Sequence, residues 1–91
     1  MERTSKALVQ SAFARLTEVC GKRIASSFDD VGAWQLHRGF NGWEIREIVT
    51  PGGGIRMPLG ERSFSASAFY DACWFAIRAI EAREAGRSVP A

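Results

Sequence analysis

A proline followed by three glycines, Pro51 to Gly54, divides the stretch Asn41–Gly60 into two runs that carry apolar residues. Proline fixes φ at the entry of a turn, and glycine adopts positive φ without steric cost. The flanking runs are rich in β-branched and aromatic residues, which favour pleated, half-buried strands. The stretch therefore predicts a β-hairpin with a loop longer than two residues. Its apolar residues are Trp43, Ile45, Ile48 and Val49 before the turn and Ile55, Met57 and Leu59 after it.

Three strands are predicted between residues 33 and 59. The first covers residues 33–38 and is followed by the Asn41-Gly42 turn, and the second covers residues 43–50. The alternation of apolar and polar residues in this second strand is interrupted at Arg46-Glu47, where two charged residues are adjacent. This indicates either a β-bulge that returns Ile48 to the covered face or a short helix over residues 44–49. The third strand, 55–59, is expected to lie at an edge or to end at Pro58, because Pro58 cannot donate to a sheet. The side chains predicted to face the helices are Trp34, Leu36, Trp43, Ile45, Ile55 and Met57.

Helical spacing of apolar residues appears at both ends of the chain. The first helix is predicted within residues 4–20, with Thr4 or Ser5 as its N-cap and Gly21 at its end. The last helix is predicted within residues 64–84, with Ser63 or Ser65 as its cap. Gly86 is expected to end it, which leaves residues 86–91 as a frayed tail.

The order α-β-β-β-α with short connections predicts one α+β domain over residues 1–91. Its three strands form an antiparallel meander, and both helices pack on one face of that sheet. The other face is expected to meet water.

The composition points to an ordinary globular domain. Of 91 residues, 46% are hydrophobic and 24% are charged, and the net charge is +2. No apolar run reaches membrane-spanning length, and the start of the chain lacks a signal-peptide pattern, so we expect no membrane partner and a cytoplasmic location. Cys20 and Cys73 fall on the apolar sides of their helices and are expected to be free thiols.

The residues favour no catalytic, cofactor or metal site. His37 is the only histidine, and no cluster of Cys and His surrounds it in the sequence. The Pro51–Gly54 loop lacks the Lys-Ser/Thr pair of a phosphate-binding loop. The carboxylate pairs Asp29-Asp30 and Glu44/Glu47 are read as solvated surface groups. We therefore expect a protein that is not an enzyme and needs no cofactor.

Arginines on or beside the predicted strands support an alternative function. Some of Arg38, Arg46, Arg56 and Arg62 should share the wet face of the sheet, where they could meet phosphates. The element order resembles that of double-stranded-RNA-binding domains. That family has a lysine-rich start to its last helix, whereas residues 63–72 here carry no Lys or Arg, so its function is not carried over. The alternative function, a nucleic-acid-binding module that uses the sheet face, rests on the arginines alone.

The last helix carries more aromatic residues than one apolar side requires. Cys73, Ala76 and Ile77 supply the side that meets the sheet, and Tyr70, Trp74 and Phe75 extend around the helix. A two-layer domain covers only about half of a helix, so at least one of these aromatics is expected to remain exposed. We predict that Tyr70, Trp74 and Phe75 bind a partner, with Trp74 or Phe75 most simply lining a twofold dimer. The alternative is that Trp74 lies against the first helix near Phe13.

The second half of the chain resembles small proteins encoded by phages and prophages. The matching pieces are Phe40-Asn41-Gly42-Trp43, the Gly52–Gly54 turn and Phe69-Tyr70-Asp71-Ala72. The resemblance implies an accessory protein that acts in the cytoplasm of a bacterial host and binds a host or viral protein. Inhibitors of bacterial defence systems belong to this class of proteins. It implies no particular site residue.

Overall fold

The structure, a computed structural model, describes residues 4–52, 54–60 and 63–88. Helix α1 is Lys6–Val19 and helix α2 is Ala66–Ser88. Between them lie strands β1 (Trp34–Gly39), β2 (Gly42–Ile48) and β3 (Ile55–Arg56), which form one antiparallel sheet in the order β1-β2-β3. The predicted α+β fold with the order α-β-β-β-α is confirmed.

The core lies between the two helices and one face of the sheet. Trp34, Trp43 and Ile45 enter it from the strands, and Leu36 packs against its border. The prediction that these four residues face the helices is confirmed. The helix residues in this core are Val9, Ala12, Phe13 and Leu16 from α1 and Phe69, Cys73 and Ile77 from α2.

The helix caps follow from short polar residues and one glycine. The Ser5 hydroxyl accepts a hydrogen bond from the Leu8 N–H at 3.2 Å, and the Ser65 hydroxyl accepts one from Ala68 at 3.3 Å. Gly21, at φ 70°, follows the last turn of α1 as predicted. The predicted end of α2 is wrong, because Gly86 does not take positive φ and the helix continues to Ser88. The rest of the predicted tail, residues 89–91, lies outside the described residues.

The predicted bulge at Arg46-Glu47 is absent, and so is the alternative short helix. The register of β1 and β2 runs without interruption from Trp34 opposite Glu47 to Gly39 opposite Gly42. Glu47 therefore stays on the side of Trp34 and is only 8% exposed. Its carboxylate is tolerated there because the Trp34 indole N–H donates to it at 3.0 Å and Arg56 donates to it at 3.1 Å.

Strand β3 is shorter than predicted, and its register is shifted by one residue. Ile55 pairs with Ile48 and Arg56 pairs with Glu47, so Arg56 takes the side on which Ile55 was expected. Ile55 is 42% exposed. Met57, predicted to face the helices from the same strand, lies after its end and is half-buried. A turn in which the Gly60 N–H bonds to the Met57 carbonyl at 2.9 Å replaces the end of the predicted strand, consistent with the missing donor at Pro58.

The loop before α2 is fixed to the sheet through β2. The N–H and C=O of Trp43 both bond to the backbone of Phe64, at 2.7 and 2.8 Å. Gly42, at φ 127°, lies directly against this segment, and a Cβ there would overlap the Phe64 carbonyl. The start of α2 is therefore held close to the β1–β2 turn.

Candidate functional site

Helix α2 carries apolar residues on two opposite sides. Phe69, Cys73 and Ile77 are fully buried and define its inner side. At about 100° per residue, Phe75 lies about 160° around the axis from Cys73, so it points away from the core. A helix that covers one sheet needs only one apolar side. The second side of α2 is therefore the feature of this fold that packing within the chain does not explain.

Phe75 lies at the centre of a row of small residues, which we call the outer stripe. Its side chain is 76% exposed. The spacing along the row alternates between four and three residues, which keeps all members on one side of the helix. The outer stripe consists of Ala68, Ala72, Phe75, Ala79, Ala82 and Gly86. Alanines on the surface of a helix are explained by their high helix propensity. A phenylalanine there has a lower helix propensity and leaves a large apolar area in contact with water.

Tyr70 and Trp74 lie between the inner side of α2 and the outer stripe. Both are half-buried and pack against the core, and their ring centroids are 6.3 Å apart. The Trp74 indole N–H is buried, and no described residue accepts its hydrogen bond. Of the three predicted partner-binding residues, Phe75 is thus the exposed one, whereas Tyr70 and Trp74 support the helix beside it.

Two other aromatics are exposed, but neither belongs to a helix or a strand. Phe40 occupies the β1–β2 turn, and its relative exposure of 109% means that nothing in the described chain covers it. Phe28 is exposed in the connection between α1 and β1. Phe75 differs from both because a regular helix fixes its position.

The predicted arginines do not form one basic face. Arg46 lies on the face of the sheet that points away from the helices, which we call the open face, and it bonds to Glu44 at 2.6 Å. Arg38 and Arg56 lie opposite Trp43 and Glu47, on the other side of the sheet. Arg38 stacks 5.4 Å from the centre of the Trp43 ring, and Arg56 pairs with Glu47. The fourth arginine, Arg62, lies outside the described residues.

Polar groups on the open face converge on Glu44 rather than on a histidine. Glu44 accepts from Arg46 and from the Ser63 hydroxyl, the latter at 3.3 Å. The His37 Nε2 atom is 3.9 Å from Glu44. A serine activated by histidine requires a hydroxyl that donates to the imidazole. The Ser63 hydroxyl instead donates to Glu44.

The cysteines have the properties of structural thiols, one buried and one half-buried. Cys73 is fully buried, and burial raises the pKa of its thiol to about 12. Burial also raises the pKa of Cys20, partly offset by the charge of Lys22. Both are free in the structure, as predicted. Both therefore remain protonated and weakly nucleophilic at neutral pH.

In the described part of the chain, no group of three or more His, Cys, Asp and Glu side chains is placed to hold a metal ion. No described helix has the length and apolar character needed to cross a bilayer.

The outer stripe could have been recognised in the sequence by its spacing of four and three residues. Most residues of the outer stripe are alanines, which contribute little to a pattern of apolar residues, so the stripe was not predicted. The pairing of Arg46 with Glu44 and of Arg56 with Glu47 depends on strand register, so it could not be predicted from the sequence. No protein-family model, no curated protein and no solved structure matches this chain.

Proposed function

We propose that this chain is a non-catalytic accessory protein of the phage or prophage type, which acts by binding another protein through the outer stripe of α2. The observation that carries the proposal is the 76% exposure of Phe75 in the middle of a 23-residue helix. Aromatic residues held rigidly at the surface are typical anchors of protein interfaces.

The surroundings of Phe75 support this assignment. Trp74 and Tyr70, which are close to Phe75 in the helix, pack against the core and hold this part of α2 in place. Binding through Phe75 would therefore cost the helix little conformational freedom. The flanking alanines leave a flat surface on which a second helix or strand can approach closely.

The resemblance to phage-encoded accessory proteins suggests what the binding achieves. It implies a host or viral protein as the target and an inhibited bacterial defence system as one outcome. A nucleic-acid-binding role for the sheet is the weaker alternative, because Arg46 and Arg56 are paired with glutamates and lie on opposite faces.

Photo-cross-linking in the host tests the proposal. A photoreactive phenylalanine analogue is placed at position 75 and, as a matched control, at position 40, where the native residue is also an exposed phenylalanine. We expect position 75 to give discrete protein adducts that position 40 does not give. These adducts should disappear when Ala79→Glu places a charge beside the analogue. Absence of any adduct from position 75, or the same adducts from both positions, would contradict the proposal.

A further inference from the structure

We propose that the outer stripe binds a second copy of this chain, with two α2 helices packed antiparallel about a twofold axis near Phe75. The inference rests on the proposed function for its choice of surface, and it makes the second copy the partner that a host or viral target must displace from the outer stripe. Three features of the stripe favour this pairing: its spacing, its residue sizes and the charges along its border.

The spacing of the outer stripe is that of a coiled-coil seam. Alternate steps of four and three residues form a seven-residue repeat with about 3.5 residues per turn. Two helices keep such a repeat in contact by winding around each other with a left-handed twist. The stripe extends from Ala68 to Gly86, about 27 Å along the axis. This length suits pairing of two helices along several turns rather than a contact at one point.

The sizes of the residues favour close approach of two copies. Alanine and glycine let the axes of two helices approach to about 8 Å, the short end of the usual 8–10 Å range. At that distance, two bulky side chains do not fit opposite each other at every turn of the helix pair. Phe75 is the one large member of the outer stripe. Near a twofold axis, the Phe75 rings of the two copies lie side by side and cover each other's exposed area, with Ala72 of each copy next to them.

Two charged residues along one border of the stripe complement each other. Asp71 lies four residues before Phe75 and Arg78 lies three residues after it, and both are exposed. They are about 10 Å apart along the helix, too far to pair within one copy. Among the described residues, neither has an ion-pair partner.

Antiparallel pairing brings these opposite charges together. A twofold axis at the level of residues 74 and 75 places Asp71 of one copy beside Arg78 of the other, and the symmetry repeats the pair. In a parallel pair, the border that carries Arg78 would instead face the other border of the second copy's stripe. Arg78 would then lie next to Arg83 of the second copy. Like charges would repel there, so the charge pattern selects the antiparallel arrangement.

Charge reversal measured by sedimentation equilibrium tests this arrangement. Asp71→Arg and Arg78→Asp should each raise the dimer dissociation constant about ten-fold or more, because each replaces two ion pairs with two like-charge contacts. The double variant should return it to within a few-fold of the wild-type value. Lys6→Asp changes the net charge as Arg78→Asp does, on the exposed start of α1, and should leave the constant unchanged. Circular dichroism confirms that each variant is folded.

Disulfide trapping tests the orientation directly, in a Cys20→Ser background. Mixing the Asp71→Cys and Arg78→Cys variants under mild oxidation should yield a disulfide-linked pair containing one chain of each. Each variant alone should link far less. Efficient linking of Asp71→Cys with itself, failure of the double charge reversal to restore association, or a wild type that stays monomeric at high micromolar concentration would each overturn the proposal.

The two proposals fail in distinguishable ways. A monomeric wild type that still gives adducts with a different protein from position 75 would remove the dimer and leave the proposed function intact. A monomeric wild type with no adduct from position 75 would remove both.

Discussion

The indole N–H of Trp34 donates a 3.0 Å hydrogen bond to the carboxylate of Glu47, directly across the β1–β2 pair. This contact explains how a glutamate occupies the covered side of the sheet. The carboxylate also accepts from Arg56 on the other neighbouring strand. A buried charge is costly unless it is paired and hydrogen-bonded, and here three adjacent strands supply the charge and its donors.

Removing the Trp34 donor should therefore destabilise the fold. We expect Trp34→Phe to lower the free energy of unfolding by at least about 1.5–3 kcal/mol, the contribution of a hydrogen bond to a charged group. Trp74→Phe is the matched control, because the Trp74 N–H has no described acceptor and its removal breaks no hydrogen bond. It should cost clearly less in urea unfolding. Equal losses for the two variants would contradict this role for Glu47.

Glu47 should also give the fold a specific acid sensitivity. The hydrogen bond from Trp34 and the contacts with Arg56 hold the pKa of Glu47 below its ordinary value of 4.5, against the opposing effect of burial. Because the folded-state pKa is the lower one, the stabilisation is complete above about pH 4.5 and is lost as the pH falls through the folded-state value. Urea midpoints measured from pH 7 to pH 3 should fall less steeply for Glu47→Gln than for wild type. Identical slopes would show that Glu47 is not linked to folding.

Gly42 should tolerate no side chain. Its φ of 127° is unfavourable for other residues, and a Cβ would overlap the Phe64 carbonyl that accepts from Trp43. We expect Gly42→Ala to cost about 3 kcal/mol or more in chemical denaturation. Gly52→Ala, at an exposed glycine with open space around it, should change stability by less than about 0.5 kcal/mol. A mild effect at Gly42 would mean that the β2–Phe64 contact is not tight.

The sheet should not bind nucleic acid. The charge of Arg46 is neutralised by Glu44 and that of Arg56 by Glu47, so few phosphate contacts are available on any one face. Fluorescence anisotropy with a labelled duplex and a labelled single strand should show no binding by micromolar protein near physiological salt. Sub-micromolar binding that weakens as salt rises and is lost in Arg46→Ala would contradict this expectation and favour the alternative function.

The sequence predicted those parts of the fold that depend on local rules. Ser5 and Gly21 define the ends of α1 by capping, and the alternation of Trp34 with Leu36 and of Trp43 with Ile45 identifies the covered face. The errors arose where a distant partner decides the outcome. Local rules predict that a polar residue such as Glu47 leaves the core face, because they take no account of its donor, Trp34, 13 positions away.

The same limit applied to the candidate site. Excess aromatic residues in α2 were recognisable in the sequence, but which of them faces out depends on where the sheet and α1 lie. The structure separates Phe75 from Tyr70 and Trp74. The register of β3 was unpredictable for a similar reason, since a strand of two residues carries no alternation that could specify it.

Light scattering over a dilution series tests the central claim most directly. Wild-type protein should move from its chain mass of 10.0 kDa when dilute to twice that mass as the concentration rises. Phe75→Ala should remain at the chain mass throughout, with unchanged or slightly higher thermal stability, because alanine is the better helix former. Phe40→Ala, which removes an even more exposed ring elsewhere, should behave as wild type. A wild type that stays at the chain mass at high micromolar concentration, or a Phe75→Ala variant that associates as the wild type does, would contradict the account.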